Sequence, residues 1–226
     1  MKILALDTAT EACSAALLVD GRLQERFEVA PRGHARLLLP MLDDLLAEAG
    51  LRPAQLDAVA FGRGPGSFTG LRIAAGTAQG IAFAADLPVL PVSTLAALAR
   101  PALLRADAAH VLAAIDARMG EVYWAAYGRA ANGEPEALGA ERVSAPERVD
   151  VPGGGTWFGV GSGWGAYEAP MRARLGETLI GIDAAALPRA GDIARLAALD
   201  FAAGRAVAPE DAQPVYLRNQ VVQRPG

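Results

Sequence analysis

The chain has 226 residues, 52% of them hydrophobic, and a formal net charge of −4. That length suits one large or two small domains with a full core. Its arginines are scattered along the sequence, so no basic stripe of the kind that neutralises a nucleic-acid backbone is visible, and any RNA it serves is expected to meet another subunit first. Cys13 is the one cysteine, which excludes an intrachain disulfide and CxxC chemistry and suggests a small buried apolar residue. The apolar run at 3–6 is too short for a secretory signal. Arg72, Gln79 and Asp86 interrupt the apolar region 70–92, so the chain reads as soluble and cytoplasmic.

Residues 3–7 read as a strand ending in a carboxylate. A polar turn, a strand at 13–19, the hairpin pair Asp20–Gly21 and a strand at 23–29 follow. Residues 34–49 have helical spacing: Leu37, Leu38, Met41, Leu42, Leu45, Leu46 and Ala49 share a broad apolar face, with Leu39 off it. Pro40 should loosen the early turns. A strand at 56–61 runs into the glycine-rich stretch 62–70, and a helix at 71–85 follows. That helix presents Ala74, Ala75, Ala78, Ala82 and Ala85 with Gly76 and Gly80, residues small enough for another helix to approach closely. Residues 88–93 link to a helix at 94–104, capped by Ser93 or Thr94.

The second half opens as the first does. Residues 112–116 are again an apolar run ending in aspartate, followed by a strand at 122–127 and the turn Asn132–Gly133. Asp7 and Asp116 lie about half the chain apart, which suggests a duplicated α/β fold with domains at 1–106 and 107–226. The rest reads as a loop at 132–155, a strand at 156–160, a glycine turn at 161–165, and a helix at 192–203 stopped by Gly204. Residues 215–218 read as a short ordered segment before a frayed end.

The stretch around Gly64, Gly66, Ser67 and Thr69 is the main candidate for chemistry. A strand that breaks on glycines and restarts as a helix leaves N–H groups and the positive end of the helix dipole for an anion. It is neither a P-loop nor GxGxxG, and a tight turn that binds nothing has the same spacing. Asp7 and Asp116, at strand ends, could meet across a cleft and hold Mg²⁺ against nucleotide phosphates. Equally, each could cap its own turn, with Arg118 neutralising Asp116. These six residues are the nucleotide-binding candidates. No catalytic residue and no metal ligand set is assigned: the two histidines are His34 and His110, and Leu38 stands four after His34 where an HxxxH pair would have its second ligand. The apolar excess on the two long helices points to a partner, with Leu38, Met41, Leu42, Leu45, Ala74, Ala75, Ala78 and Ala82 as interface candidates. Leu42→Glu or Ala78→Glu is the change expected to block pairing.

Together ILALDTAT at 3–10, LLPM at 38–41, GPGSFTGLRI at 64–73, IDARMGEVY at 115–123 and VYLR at 215–218 resemble the TsaB family, also called YeaZ. The resemblance implies an actin/Hsp70/sugar-kinase-like (ASKHA) fold of two duplicated α/β domains. It also implies a part in making N6-threonylcarbamoyladenosine in tRNA, as the non-catalytic scaffold of a TsaD-like catalytic subunit, joined by a TsaE-like ATPase, and as a homodimer when alone. On that reading tRNA is met through the complex, this chain carries no cofactor, and ATP and a metal ion are used by the partner subunits. His34 falls where the catalytic relative begins its metal pair, and Leu38 breaks that pair. An ATP-dependent kinase or ATPase of the same fold is the rival reading, and a glycoprotease-like peptidase a weaker one.

Overall fold

The computed structural model describes residues 1–104 and 109–218. The expected domain boundary at 106/107 and the expected frayed end past 218 lie outside the described residues. In the first half, β1 (Lys2–Asp7), β2 (Ala12–Val19) and β3 (Arg22–Val29) form an antiparallel meander. Helix α1 (His34–Ala49), β4 (Ala58–Gly64), α2 (Phe68–Ala85) and β5 (Val89–Ser93) follow. The sheet runs β3-β2-β1-β4-β5, with β4 parallel to both β1 and β5. Alternation explains why β1 is central: Leu4 and Leu6 point to one face, Ile3 and Ala5 to the other, and all four are fully buried. The hairpin pair behaves as its residues dictate, Asp20 and Gly21 both taking positive φ (47° and 85°).

The second half repeats the plan. After α3 (Thr94–Leu103) come β6 (His110–Arg118), β7 (Glu121–Arg129), β8 (Pro135–Ala137), β9 (Arg142–Ser144), β10 (Trp157–Val160), α4 (Ser162–Leu175), β11 (Leu179–Asp183) and α5 (Ala190–Ala202). The second sheet runs β8-β7-β6-β10-β11, the same order of a three-stranded meander followed by two parallel strands. Each half lends its last helix to the other. Helix α3 packs on the second sheet through Leu95, Leu98 and Leu103, and α5 packs on the first through Ile193, Ala194 and Ala197. The layers are therefore α1 and α2, the first sheet, α5 with α3, the second sheet, and α4.

Several elements differ from the sequence reading, each for a local reason. Residues 88–93 are not a plain linker, because β5 is the edge strand beside β4. The loop expected at 132–155 contains β8 and β9, three-residue strands too short to show a period. The glycines at 161–165 open α4 instead of forming a free turn, since Gly163 leaves room for Ala114 of β6. Helix α2 starts at Phe68, three residues early, because Ser67 caps it by accepting from the Gly70 N–H.

Candidate functional site

The glycine turn between β4 and α2 is built to pack against the β1–β2 turn. A Cβ at Gly66 would come within 2.4 Å of the Ala9 carbonyl oxygen, and one at Gly70 within 1.9 Å of the Thr8 carbonyl oxygen. Into that contact Ser67 N–H donates to Ala9 O (2.7 Å) and the Thr8 hydroxyl to Gly70 O (2.7 Å). Gly64 N–H donates to Thr94 Oγ1 (3.1 Å). These glycines are needed for closeness of chain to chain, and several N–H groups that an anion would want are already spent. Gly70→Ala follows as a test. Propensity alone favours alanine in a helix by about 1 kcal/mol. Here the added methyl meets backbone, so a loss of about 1–3 kcal/mol is expected by thermal melting. Gly76→Ala, whose Cβ meets nothing within 4 Å, should be stabilising on the same helix. Equal shifts for the two would refute this account.

Asp7 and Asp116 occupy equivalent places and make the same local bond. Asp7 Oδ1 accepts from Ala9 N–H (3.1 Å) and Asp116 Oδ1 from Arg118 N–H (2.8 Å), the Asx-turn geometry in both halves. The cleft that Asp116 lines does not have Asp7 among its lining residues. Asp7 is fully buried against Gly62, and its Oδ2 has no hydrogen-bond partner. Burial pushes its carboxyl up to about 7, with the Ala9 N–H pulling the other way. Asp116 lines a cleft of about 780 Å³, but its Oδ2 accepts from Arg118 Nη1 (2.8 Å). Among the described residues no group of three or more His, Cys, Asp or Glu side chains is placed to hold a metal ion.

The cleft divides the rest of the candidates. Gly66 and Ser67 line it with Asp116. Gly64 lies outside that lining, its Cβ position closed by Val215 O (2.8 Å) and Leu71, and Thr69 is exposed on the first turn of α2. The N-terminal ends of three helices open on the cleft, marked by His34 of α1, Phe68 of α2 and Ser162 of α4. The C-terminal segment crosses its mouth. Val215 N–H donates to Arg63 O (2.7 Å), the Tyr216 ring lies 5.3 Å from that of Phe68, and Arg218 pairs with Glu121 on β7. Arg32, Phe68, Tyr216 and Arg218 were absent from the sequence candidates. The VYLR motif was the visible signal for Tyr216 and Arg218 and the GPGSFTGLRI motif for Phe68, and no motif marked Arg32.

The interface candidates need a larger correction. Leu38, Leu42, Leu45, Ala74, Ala75, Ala78 and Ala82 are all buried in the chain's own core, facing the first sheet, and Met41 is half-buried at its margin. The stripe that looked available to a partner is the one the sheet consumes. The outer side of these helices carries Leu39 (54% exposed), Phe83 (81% exposed), Gly76 and Gly80.

Comparison with known proteins gives the same picture at the level of sequence and fold. The family model described as TsaD, tRNA N6-adenosine threonylcarbamoyltransferase, matches residues 27–208. The tRNA threonylcarbamoyladenosine biosynthesis protein TsaB of Escherichia coli is 48% identical, with 98% of this chain and 96% of that protein covered. TsaB of Haemophilus influenzae is 44% identical, with 98% and 95% covered. The structure of YeaZ from Pseudomonas aeruginosa superposes with a TM-score of 0.88 at 52% identity, covering 96% of this chain and 99% of that one. With the repeated sheet order and the cleft lined by both halves of the chain, these matches place the fold in the ASKHA class and the chain in the TsaB (YeaZ) family.

Proposed function

We propose that this chain is the non-catalytic scaffold subunit of the assembly that installs N6-threonylcarbamoyl on adenosine 37 of tRNA. Its names among close relatives support the pathway. The observation that carries the scaffold reading is the outer face of α1 and α2. Phe83 stands 81% exposed beside glycines whose Cβ positions are open, a surface that lets a second helix pack at short range. A TsaD-like catalytic subunit is the partner, a second copy of this chain takes the same face when that subunit is absent, and a TsaE-like ATPase joins the pair. ATP and a metal ion belong to those subunits. The position four after His34 is the core residue Leu38, so α1 offers one imidazole where a chelate needs two. The ATP-dependent rival loses its main support, since Asp7 is buried and Asp116 is paired with Arg118. No helix among the described residues is long and apolar enough to cross a membrane, and a cytoplasmic setting fits a tRNA-modifying assembly.

Phe83→Glu tests this. Exposed positions tolerate substitution within about 0.5 kcal/mol of stability. A charge in the centre of an interface costs about 2 kcal/mol or more of binding. Co-purification with the TsaD-like subunit, and self-association, should fall by at least an order of magnitude while the melting temperature holds. Ala78→Glu should instead unfold the chain, because Ala78 is fully buried. Undiminished pairing by a folded Phe83→Glu, Leu39→Glu double variant would refute the placement.

A further inference from the structure

Folding gathers arginines that the sequence scatters. Arg32, Arg118 and Arg218 line the cleft, Arg36 stands exposed in the first turn of α1, and Arg72 stands exposed in the second turn of α2 against the cleft residues Phe68 and Tyr216. Asp116 neutralises Arg118, and Glu121 neutralises Arg218. Among the described residues, Arg32 and Arg36 have no carboxylate partner. Arg72 is held by neutral groups, its guanidinium 3.8 Å over the Phe68 ring and its Nε 3.4 Å from the Tyr216 hydroxyl. Glu11 is the other acidic residue on the cleft wall. In a chain of net charge −4, this is a local positive field.

The helices add to it. None of α1, α2 and α4 carries an acidic residue in its first turn, and α1 and α4 have no side-chain cap, whereas α5, which packs elsewhere, opens with Asp192. The dipoles of all three, and the N–H groups of α1 and α4 that no side chain caps, are left for whatever enters the cleft. A second, independent sign is His34. Its ring lines the cleft and is 8% exposed, and its Nδ1, buried from solvent, has no partner within the fold. At the mouth, Phe68 (45% exposed) and Tyr216 (40% exposed) form an aromatic pair open to solvent.

We propose that this cleft and its rim bind a single-stranded segment of RNA. Phosphates sit against Arg32, Arg36, Arg72 and the helix N-termini, and an unpaired base stacks on the Phe68–Tyr216 pair. Two features favour RNA over a magnesium-bound nucleotide. Among the described residues the cleft lining has no pair of free carboxylates for the ion, and the unneutralised arginines are not confined to that lining, since Arg36 and Arg72 lie outside it, so more than one phosphodiester can meet a cation. The inference rests on the tRNA-modification reading above but not on the helix face that docks the partner, so the two can fail separately.

Fluorescence anisotropy of a labelled anticodon stem-loop RNA, with the chain alone and in complex with the TsaD-like subunit, decides the matter. Wild type should bind with strong salt dependence. The triple variant Arg32→Ala, Arg36→Ala, Arg72→Ala should bind at least about tenfold more weakly, and its salt slope should be smaller by about 2, at about 0.7 per lost phosphate contact. Tyr216→Ala should lose on the order of tenfold without changing that slope. Both variants should keep the wild-type melting temperature and co-purify with the TsaD-like subunit. No binding by wild type alone or in the complex would overturn the proposal. So would undiminished binding by folded variants, or stoichiometric release of the RNA by Mg-ATP.

Discussion

Arg100→Ala is expected to destabilise the chain by about 3–5 kcal/mol near pH 7, the cost of removing one partner from a buried ion pair. For a chain of this size the melting temperature should drop on the order of 10 °C. Arg100 sits on α3, with its side chain 10% exposed, and its donors divide between two acids. Nε and Nη2 bond Glu134 at 2.6 and 2.8 Å, and Nη1 bonds Asp192 at 2.9 Å. Glu134 lies in the turn after β7 and Asp192 in the first turn of α5, so one guanidinium ties the two exchanged helices to each other and to the second sheet's β7–β8 turn. Without it, two carboxylates remain in a site that disfavours their charge. Burial already pushes the Asp192 carboxyl up, and Arg100 is the main influence holding it down. The deficit should therefore shrink at acid pH, where the Asp192 carboxyl can take a proton. Adding Glu134→Gln and Asp192→Asn to Arg100→Met should recover most of the loss. Urea unfolding at several pH values checks both points. A cost below about 1 kcal/mol, the range of exposed pairs, would mean that solvent screens this network.

The strands and long helices were legible because their periods are local. The bounds of α1 coincide with the run expected from its leucines, and the two opening strands of each half stand where their apolar runs lie. Helix α4 was missed because glycines at 163 and 165 and Pro170 obscure its pattern, and Tyr167 leaves helical geometry altogether. Choosing the wrong face of α2 has a different cause. Both sides of that helix carry small residues, and periodicity alone cannot say which stripe the sheet takes. Alanines bury methyl groups against Leu4 and Leu6, and glycines offer nothing to bury, so the glycine side is left outside. The cleft was less legible still. Its walls come from residues near 10, 32, 66, 116, 162 and 216, and only the fold brings them together. The glycine motif stands out in the sequence, yet its tightest neighbours, Thr8 and Ala9, are long-range contacts that no spacing reveals.

Asp7→Asn is expected to stabilise the chain at alkaline pH and to leave it nearly unchanged at acid pH. The carboxyl is fully buried at the end of the central strand, where Gly62 leaves room for it, and one oxygen accepts a single N–H while the other has no partner. Desolvation raises its pKa from the ordinary 3.8 to about 7. Between those values the folded chain keeps a proton that the unfolded chain has released. Stability from this group is thus complete below about pH 4, falls as pH rises through the window, and is lost by the time the folded carboxyl ionises near pH 7. The full span is worth about 4 kcal/mol. Asparagine matches the protonated acid in shape and cannot ionise, so the variant should lack this slope and exceed wild type by up to that amount near pH 8. The buried Cys13 thiol is a second reporter. Burial first, and then the Asp7 charge, push its pKa up to about 11, so a thiolate absorbance titration should find the Cys13 pKa lower in the variant than in wild type. Parallel pH–stability curves for wild type and variant would show that Asp7 is charged and solvated at neutrality. In that case its carboxylate reaches the cleft after all, and the ATP-dependent reading of this fold recovers the ligand it lacks here.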